Sequence, residues 1–321
     1  MVIAMIEKTR SKCINCNLCK KNCDFLSKYN INLKEFSYRD DLKNSCFMCG
    51  RCKNVCPLDL SGSDIAFEMR KSCSDGNFVK LYKENYIFKN YKKNNSETLI
   101  FLGCNYPGFF PKTVKKLIEE AAKIGADFCI DCCQKPVYEL GYEVSFDKMN
   151  RKFVKMGIKE LVCVCPNCYY FLKDKLCINV INIYEYLYKN NIGNKIKETP
   201  NVFFPCSDRY NREIFTSIEK FIDKYNEPFN DIICCGLGGG AKKYEKEIVN
   251  KISEKIKLKK SPNIYTYCSS CAGAFNGYGA EGVKNFLSEI LGVHESVSEN
   301  YIKNIFKYIF KKHSGGKNEK V

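Results

Sequence analysis

The sequence has no tryptophan, only two histidines, and no apolar run that approaches the length of a membrane-spanning helix. Such a helix needs about 20 mostly apolar residues, and Glu7 interrupts the short apolar start of the chain. Both histidines, His294 and His313, follow the last cysteine. This position argues against Rieske-type ligation and against histidine acid–base catalysis. We expect a cytoplasmic protein with neither a signal peptide nor a transmembrane segment.

Acidic residues are fewer than basic ones, but the excess of positive charge is not concentrated. The chain has 52 lysines and arginines against 36 acidic residues, a formal net charge of +16, and it has no arginine-rich block. That count treats thiols as neutral, whereas metal-bound thiolates are anionic. We therefore expect no nucleic-acid partner and favour a basic surface that faces an acidic redox partner.

Cysteine dominates what is present, with 22 residues in a chain of 321. Secreted disulfide scaffolds are usually short and carry a signal peptide. In a reducing compartment, the same number of cysteines indicates metal ligands.

Two complete runs of four cysteines lie between residues 13 and 56. Both have the spacing Cys-x2-Cys-x2-Cys-x3-Cys, and Pro57 follows the second run. In this spacing, three thiolates hold one cubane [4Fe–4S] cluster and the fourth ligates the other cluster. The first cluster would be held by Cys13, Cys16, Cys19 and Cys56, and the second by Cys46, Cys49, Cys52 and Cys23. Zinc is the alternative, although zinc sites usually take two separated ligand pairs.

The fold class predicted from the pattern is α+β. A helical dicluster module at 1–60 is followed by a helical linker at 61–96, with helices expected at 63–71 and 78–89. β-rich runs at 98–103, 126–130, 160–164, 201–205, 231–234 and 263–267 then alternate with amphipathic helices at 111–124, 147–156, 211–222 and 242–256. This alternation is typical of an α/β domain with a largely parallel sheet.

The α/β part contains an internal repeat, at 97–200 and 201–321, whose register is set by cysteines. Cys104 and Cys206 each precede a cysteine pair by 27 intervening residues. A Cys-x-x-Cys motif follows each pair after 31 or 32 residues. The first set is Cys104, Cys132, Cys133, Cys165 and Cys168, and the second is Cys206, Cys234, Cys235, Cys268 and Cys271. These cysteines fall at or just after predicted strand ends, where open α/β sheets place their sites.

These repeats, together with Pro136, Pro166, Pro205 and Gly236, resemble the cysteine-rich CCG domain. That domain occurs in the B- and D-type subunits of heterodisulfide reductase. It also occurs in the iron–sulfur subunits of glycolate oxidase, anaerobic glycerol-3-phosphate dehydrogenase and lactate-utilisation oxidoreductases. The whole chain, a dicluster ferredoxin module followed by two CCG repeats, resembles that family.

The resemblance implies one or two further clusters, non-cubane in the heterodisulfide reductase type, held by the five cysteines of a repeat. In the other types it implies electron transfer with a flavoprotein dehydrogenase or other redox subunit. The interpretation is an electron-transfer subunit of an anaerobic oxidoreductase complex whose CCG site reduces a disulfide. The alternatives are a pure electron carrier and a CCG protein whose repeats hold zinc, neither with catalysis of its own.

Cys234 and Cys235 are the catalytic candidates, because Gly236 follows them where Gln134 follows the first pair. Glycine takes positive φ freely, so we expect the second pair to have the more open approach. The segment from Gly236 to Ala241, which contains Gly238 and Gly239, also fits the nucleotide-binding pattern G-x-G-x-x-A, but no acidic residue closes the next strand. We therefore expect these glycines to let the backbone approach a cluster, with no flavin or NAD on this chain.

Four cysteines, Cys73, Cys129, Cys163 and Cys177, fall outside the motifs, and we expect small buried residues as the default for them. The helix predicted at 299–312 carries apolar residues on one side and lysines opposite. Docking on the core is the favoured interpretation, and peripheral contact with a membrane surface is the alternative.

Overall fold

The computed structural model describes residues 4–71, 78–84, 86, 89–90, 96–259 and 263–309. Its first helices are short and lie close together in sequence. They are α1 (Met5–Lys12), α2 (Leu18–Asn22), α3 (Asp24–Lys28), α4 (Leu33–Phe36), α5 (Arg51–Asn54), α6 (Gly62–Lys71) and α7 (Phe78–Glu84), with a 3-10 helix at Asp40–Ser45. The link between the two cysteine runs is thus helical, in three short pieces.

The rest of the described chain alternates strands with helices. The strands are β1 (Thr98–Phe101), β2 (Asp127–Cys129), β3 (Glu160–Cys163), β4 (Asn179–Asn182), β5 (Asn201–Val202), β6 (Ile264–Thr266) and β7 (Val283–Asn285). The helices are α8 (Tyr106–Phe109), α9 (Pro111–Lys123), α10 (Lys135–Glu139), α11 (Phe146–Lys155), α12 (Pro166–Leu172), α13 (Ile183–Lys189), α14 (Glu213–Ile218), α15 (Lys246–Leu258), α16 (Ser269–Gly277), α17 (Phe286–Ile290) and α18 (Tyr301–Ile309), with 3-10 helices at Glu219–Phe221 and Gly238–Lys243. The protein is therefore mixed helix and sheet, as predicted.

The strands form two parallel sheets. The first has the order β2-β1-β3-β4, and Ile100 of β1 pairs with Phe128 on one side and with Val162 on the other. The second has the order β5-β6-β7. After a polar first residue, the runs TLIF and ELVC are apolar, because strands of parallel sheets are covered on both faces, and the last three residues of each are buried.

The cysteines of the first repeat follow the carboxyl ends of the first sheet. Cys104 comes shortly after β1, the pair at 132–133 follows β2, and Cys165 follows β3. Because the strands are parallel, these ends share one edge of the sheet. In the second sheet, Cys206 follows β5 and Cys268 follows β6.

The chain forms two compact units, each built from separate stretches. The first comprises 1–84, 136–144 and 229–260, and the second comprises 85–135, 145–228 and 261–321. The sequence predicted contiguous ranges, whereas these units interleave along the chain. Both sheets belong to the second unit, and both ferredoxin-type cysteine runs belong to the first.

Within the first unit, residues 229–260 are tied to the N-terminal helices through Glu245. Its fully buried carboxylate accepts hydrogen bonds from the Tyr29 hydroxyl and the Lys28 ammonium, both at 2.9 Å. A buried charge needs such partners, because an unpaired one costs several kcal/mol, on the order of 3–5. The apolar side of α15, with Ile248 and Ile252, is buried as well.

The strand predicted at 231–234 is wrong. Residues 231–235 have no regular structure, and Ile232 packs in the first unit rather than in a sheet. A short apolar run predicts burial, but it does not say which partner buries it. As a result, no strand among the described residues corresponds to β2 in the second sheet, whereas β4 and β7 were not predicted.

The C-terminal helix packs within the second unit through only part of its apolar side. Ile305 and Tyr308 are buried, and the Asn304 side chain donates to the Gly108 carbonyl at 2.9 Å. Ile302 and Phe306 are about half exposed. In the part of the chain that the structure describes, no helix has both the length and the apolar composition to cross a bilayer.

Candidate metal centres

The first candidate centre is a cavity lined by Cys13, Cys16, Cys19 and Cys56. The loop between α1 and α2 can surround it because Asn15 and Asn17 take left-handed backbone conformations, which asparagine tolerates better than most residues. The Asn32 side chain donates to the side-chain oxygens of both asparagines, at 3.4 and 3.3 Å. Its own oxygen caps α4 by accepting from two backbone N–H groups. This asparagine therefore fixes the loop to the following helix.

The second candidate centre is a cavity whose lining includes Cys23, Cys46, Cys49 and Cys52. The backbone N–H of Met48 donates to the Cys46 sulfur at 3.4 Å, and that of Gly62 donates to the Cys52 sulfur at 3.3 Å. Such donors stabilise a thiolate and tune a bound cluster.

Each cavity thus brings together three cysteines of one run and the fourth cysteine of the other run. This is the crossed grouping that the spacing predicted. The ligation of a cluster by each group stays a prediction.

Without bound metal, the charged thiolate forms of these cysteines are disfavoured. Burial raises the pKa of Cys19, and the neighbouring charges of Cys13 and Cys16 raise it further. Burial likewise raises the pKa of Cys23, and Cys49 adds to the effect. Positive charge at the centre of each set would remove this penalty, so the donor sets fit iron–sulfur clusters, whose ligands are thiolates. Among the described residues, no three His, Cys, Asp or Glu side chains converge in the geometry of a single bound metal ion.

Arg70, which the cysteine motifs do not predict, supports the second cavity through the backbone of Cys46. Its buried guanidinium donates to the carbonyl of Lys43 at 2.9 Å, to that of Cys46 at 3.2 Å and to that of Glu139. Burial lowers its pKa, and the nearby Cys46 opposes the shift. The only hint in the sequence was an arginine near the end of an apolar helix face, which is more often a solvated cation.

The two cysteine pairs form the same local turn. The backbone N–H of Gln134 donates to the Cys132 sulfur at 3.4 Å, and that of Gly236 donates to the Cys234 sulfur at 3.2 Å. Both residues have positive φ, +68° and +81°. Gln134 therefore adopts a backbone conformation that favours glycine.

The predicted difference in openness between the two pairs stays a prediction, because all four cysteines are buried. Cys132 and Cys133 are 3% and 5% exposed, and Cys234 and Cys235 are 8% and 6% exposed. The Gln134 amide donates to the Cys132 carbonyl at 3.5 Å.

In the second unit, the thiols of the two Cys-x-x-Cys motifs form one continuous group. Hydrogen bonds link Cys133 to Cys168, Cys168 to Cys165, Cys165 to Cys268, and Cys268 to Cys271. Hydrogen bonds from Cys165 and Cys271 hold the pKa of Cys268 well below its ordinary value. The structure therefore brings thiols of both repeats together.

Gly103 and Arg209 complete this group. A side chain at Gly103 would lie 3.3 Å from the Cys168 sulfur, and its φ is +69°, so glycine lets the backbone before Cys104 approach the motif. Arg209 is buried, donates to the Phe204 carbonyl at 2.7 Å, and is attracted by Cys206 and Cys271. It supplies positive charge beside the cysteines of the second repeat.

The remaining predicted residues are distributed as follows. Cys234, Cys235, Gly236, Gly238 and Gly239 lie in the first unit, and Cys206, Cys268 and Cys271 lie in the second. Of the cysteines outside the motifs, Cys129 and Cys163 are buried in strands and Cys177 is exposed, contrary to the buried default. Cys73 lies outside the described residues.

The strained turn at Gln134 gives a direct prediction. Replacing Gln134 with Gly should raise the free energy of unfolding by about 1 kcal/mol, and replacing Gly236 with Gln should lower it by at least as much. Gln134→Ala is the control, because it removes the amide but keeps the Cβ, and it should bring no gain. Anaerobic urea unfolding measures all three. Equal stability of the glycine variant and the alanine variant would contradict the strain argument.

The hydrogen bonds from Arg70 to three carbonyls give a second prediction. Arg70→Met should lower the free energy of unfolding by roughly 3 kcal/mol, because it leaves buried carbonyls without donors. It should also make the reduction potential of a cluster in the second cavity more negative, since a nearby positive charge is lost. The neighbouring surface substitution Lys71→Met is the control, with an expected effect within about 0.5 kcal/mol. Thermal unfolding and a redox titration measure the two effects. Equal stability and equal reduction potential for the Arg70 and Lys71 variants would refute this role of Arg70.

Comparison with known proteins agrees with the cysteine chemistry. Residues 201–276 match the family model of the CCG cysteine-rich domain. An uncharacterized iron–sulfur protein of Methanococcus maripaludis is 23% identical over 296 residues, which cover 77% of this chain but only 59% of that protein. Among solved structures, an aspartate racemase of Picrophilus torridus matches 67% of this chain and all of its own, with 11% identity and a TM-score of 0.32, too low to assign a fold. The chain therefore contains a match to the CCG cysteine-rich domain at residues 201–276 and is similar to an iron–sulfur protein over most of its length.

Proposed function

We propose that this chain is an electron-transfer subunit of an anaerobic oxidoreductase complex. The observation that carries the proposal is the grouping of eight cysteines into two cavities, each lined by four of them in the crossed pattern. Two cubane [4Fe–4S] clusters bound there would accept and donate electrons one at a time. The chain's own residues bind the irons, exclude water and hold the thiolates at fixed positions.

Electrons enter or leave at the first cavity. Cys16 is exposed, and the neighbouring Ile14 and Leu18 are 64% and 40% exposed. Lys12 and Lys21 are exposed nearby. An apolar patch with a basic rim suits a redox partner of acidic surface, such as a flavoprotein dehydrogenase.

In this proposal, the CCG repeats supply the terminal site. One or two further clusters there, with Cys234 and Cys235 as the catalytic candidates, would deliver two electrons to a disulfide. The disulfide bond breaks, two protons are taken up, and two thiols leave. A pure electron carrier and a zinc-containing CCG domain are the alternatives, and metal content and turnover distinguish them.

Metal content is the first test. Protein purified without oxygen should contain about eight irons in the ferredoxin part and more in the repeats. Cys56→Ala should damage the cluster of the first cavity and Cys23→Ala that of the second, as seen by electron paramagnetic resonance of the reduced protein. The opposite assignment would rule out crossed ligation. A total of about eight irons with zinc present would show that the repeats hold zinc.

Turnover is the second test. A reduced viologen dye should support reduction of a small disulfide by the wild type, and Cys235→Ala should abolish it. Cys177→Ala is the matched control, because Cys177 is exposed and lies outside every motif; it should leave the rate unchanged. No disulfide turnover by iron-loaded wild type would favour the pure carrier.

A further inference from the structure

The second cavity has a fifth cysteine in its wall. Cys234 lines it together with Cys23, Cys46, Cys49 and Cys52, and all five belong to the first unit. The lining of the first cavity contains four cysteines. The repeat pattern assigns Cys234 to the second CCG set and does not predict its place at the second cavity.

Glycines bring the Cys234 segment against the second cysteine run. A side chain at Gly238 would collide with the Phe47 carbonyl oxygen, and one at Gly239 would collide with the Cys46 carbonyl oxygen. The Gly239 N–H also donates to the Glu139 carboxylate at 3.2 Å. Two backbones therefore lie in direct contact here, as only glycine permits, and the chain just before them is held beside the cavity.

A backbone donor and charged side chains of both signs accompany Cys234 in the cavity. The Gly236 N–H donates to its sulfur at 3.2 Å. Arg51 and Lys255 also line the cavity, against Asp24 and Asp231. A thiolate in a cavity that already gathers four cysteines is a metal donor by its chemistry.

Cys49 is the least enclosed of the three expected ligands that the second cysteine run supplies to this cavity. Cys46 and Cys52 are buried and accept backbone N–H groups, whereas Cys49 is half-buried. Exchange at this position would break one iron–sulfur bond and form another. The proton of the incoming thiol would pass to the released thiolate, with no net change in electrons.

We propose that Cys234 is a fifth thiolate donor to the cluster of the second cavity and takes the place of Cys49 when that ligand is lost. This inference rests on the proposed cubane in that cavity. It also links the second cysteine pair directly to the ferredoxin part of the chain, without invoking any other residue of the CCG set.

Removing one ligand from each cavity tests whether only the second cavity has a replacement donor. Cys16→Ala should convert its cluster to a three-iron form, which gives a paramagnetic resonance signal when oxidised. Cys49→Ala should keep a four-iron cluster, because Cys234 replaces the lost thiolate. The double variant Cys49→Ala/Cys234→Ala should lose it, whereas Cys49→Ala/Cys235→Ala should keep it. Iron counts and resonance spectra, not turnover, are the readouts.

The outcomes separate this inference from the proposed function. If Cys49→Ala loses its four-iron cluster as Cys16→Ala does, or if the Cys234 and Cys235 double variants behave alike, Cys234 is not a donor, although the cubanes stand. If the wild type binds no cubane clusters, both the inference and the proposed function are overturned.

Discussion

Bringing several thiolates into one cavity is the constraint on which the rest of this structure depends. Burial disfavours the charged form of each thiol, and each neighbouring thiolate disfavours it again, as the raised pKa values of Cys19 and Cys23 show. Binding positive iron offsets both effects, so folding of the cysteine loops and uptake of metal are linked. The apolar core of the first unit is made of short helices, and it must hold these loops in place while the irons bind.

The backbone shapes the cysteine loops and donates hydrogen bonds to their sulfurs. Positive φ at Asn15, Asn17 and Met48 turns the cysteine loops around their cavities, and backbone N–H groups point at the sulfurs of Cys46 and Cys52. This arrangement adds partial positive charge without adding a side chain. Where a full charge is needed, it comes from a buried arginine that is already bonded to carbonyls, Arg70 in one unit and Arg209 in the other.

The crossed cysteine grouping could be predicted because three-residue spacing acts locally, within a loop and one helical turn. The strands β1, β3 and β6 could be predicted as well, since their apolar runs precede cysteines at a sheet edge. The place of residues 229–260 could not, because the run at 231–234 satisfies a strand pattern and a packed irregular segment equally well. Arg70 was missed for a similar reason: its partners are carbonyls, which carry no sequence signature.

The two cysteine pairs show how one local motif can serve different surroundings. Both form the same turn, with an N–H bonded to the first sulfur and a residue of positive φ after the second. The first pair lies in the unit of the sheets, where Cys133 joins the thiols of the Cys-x-x-Cys motifs. The second lies in the unit of the ferredoxin-type cavities, where Cys234 lines one of them. The turn therefore sets the local geometry of the two sulfurs. The glycine run that follows only the second pair sets which cavity this pair lies beside, because only those glycines allow contact between two backbones.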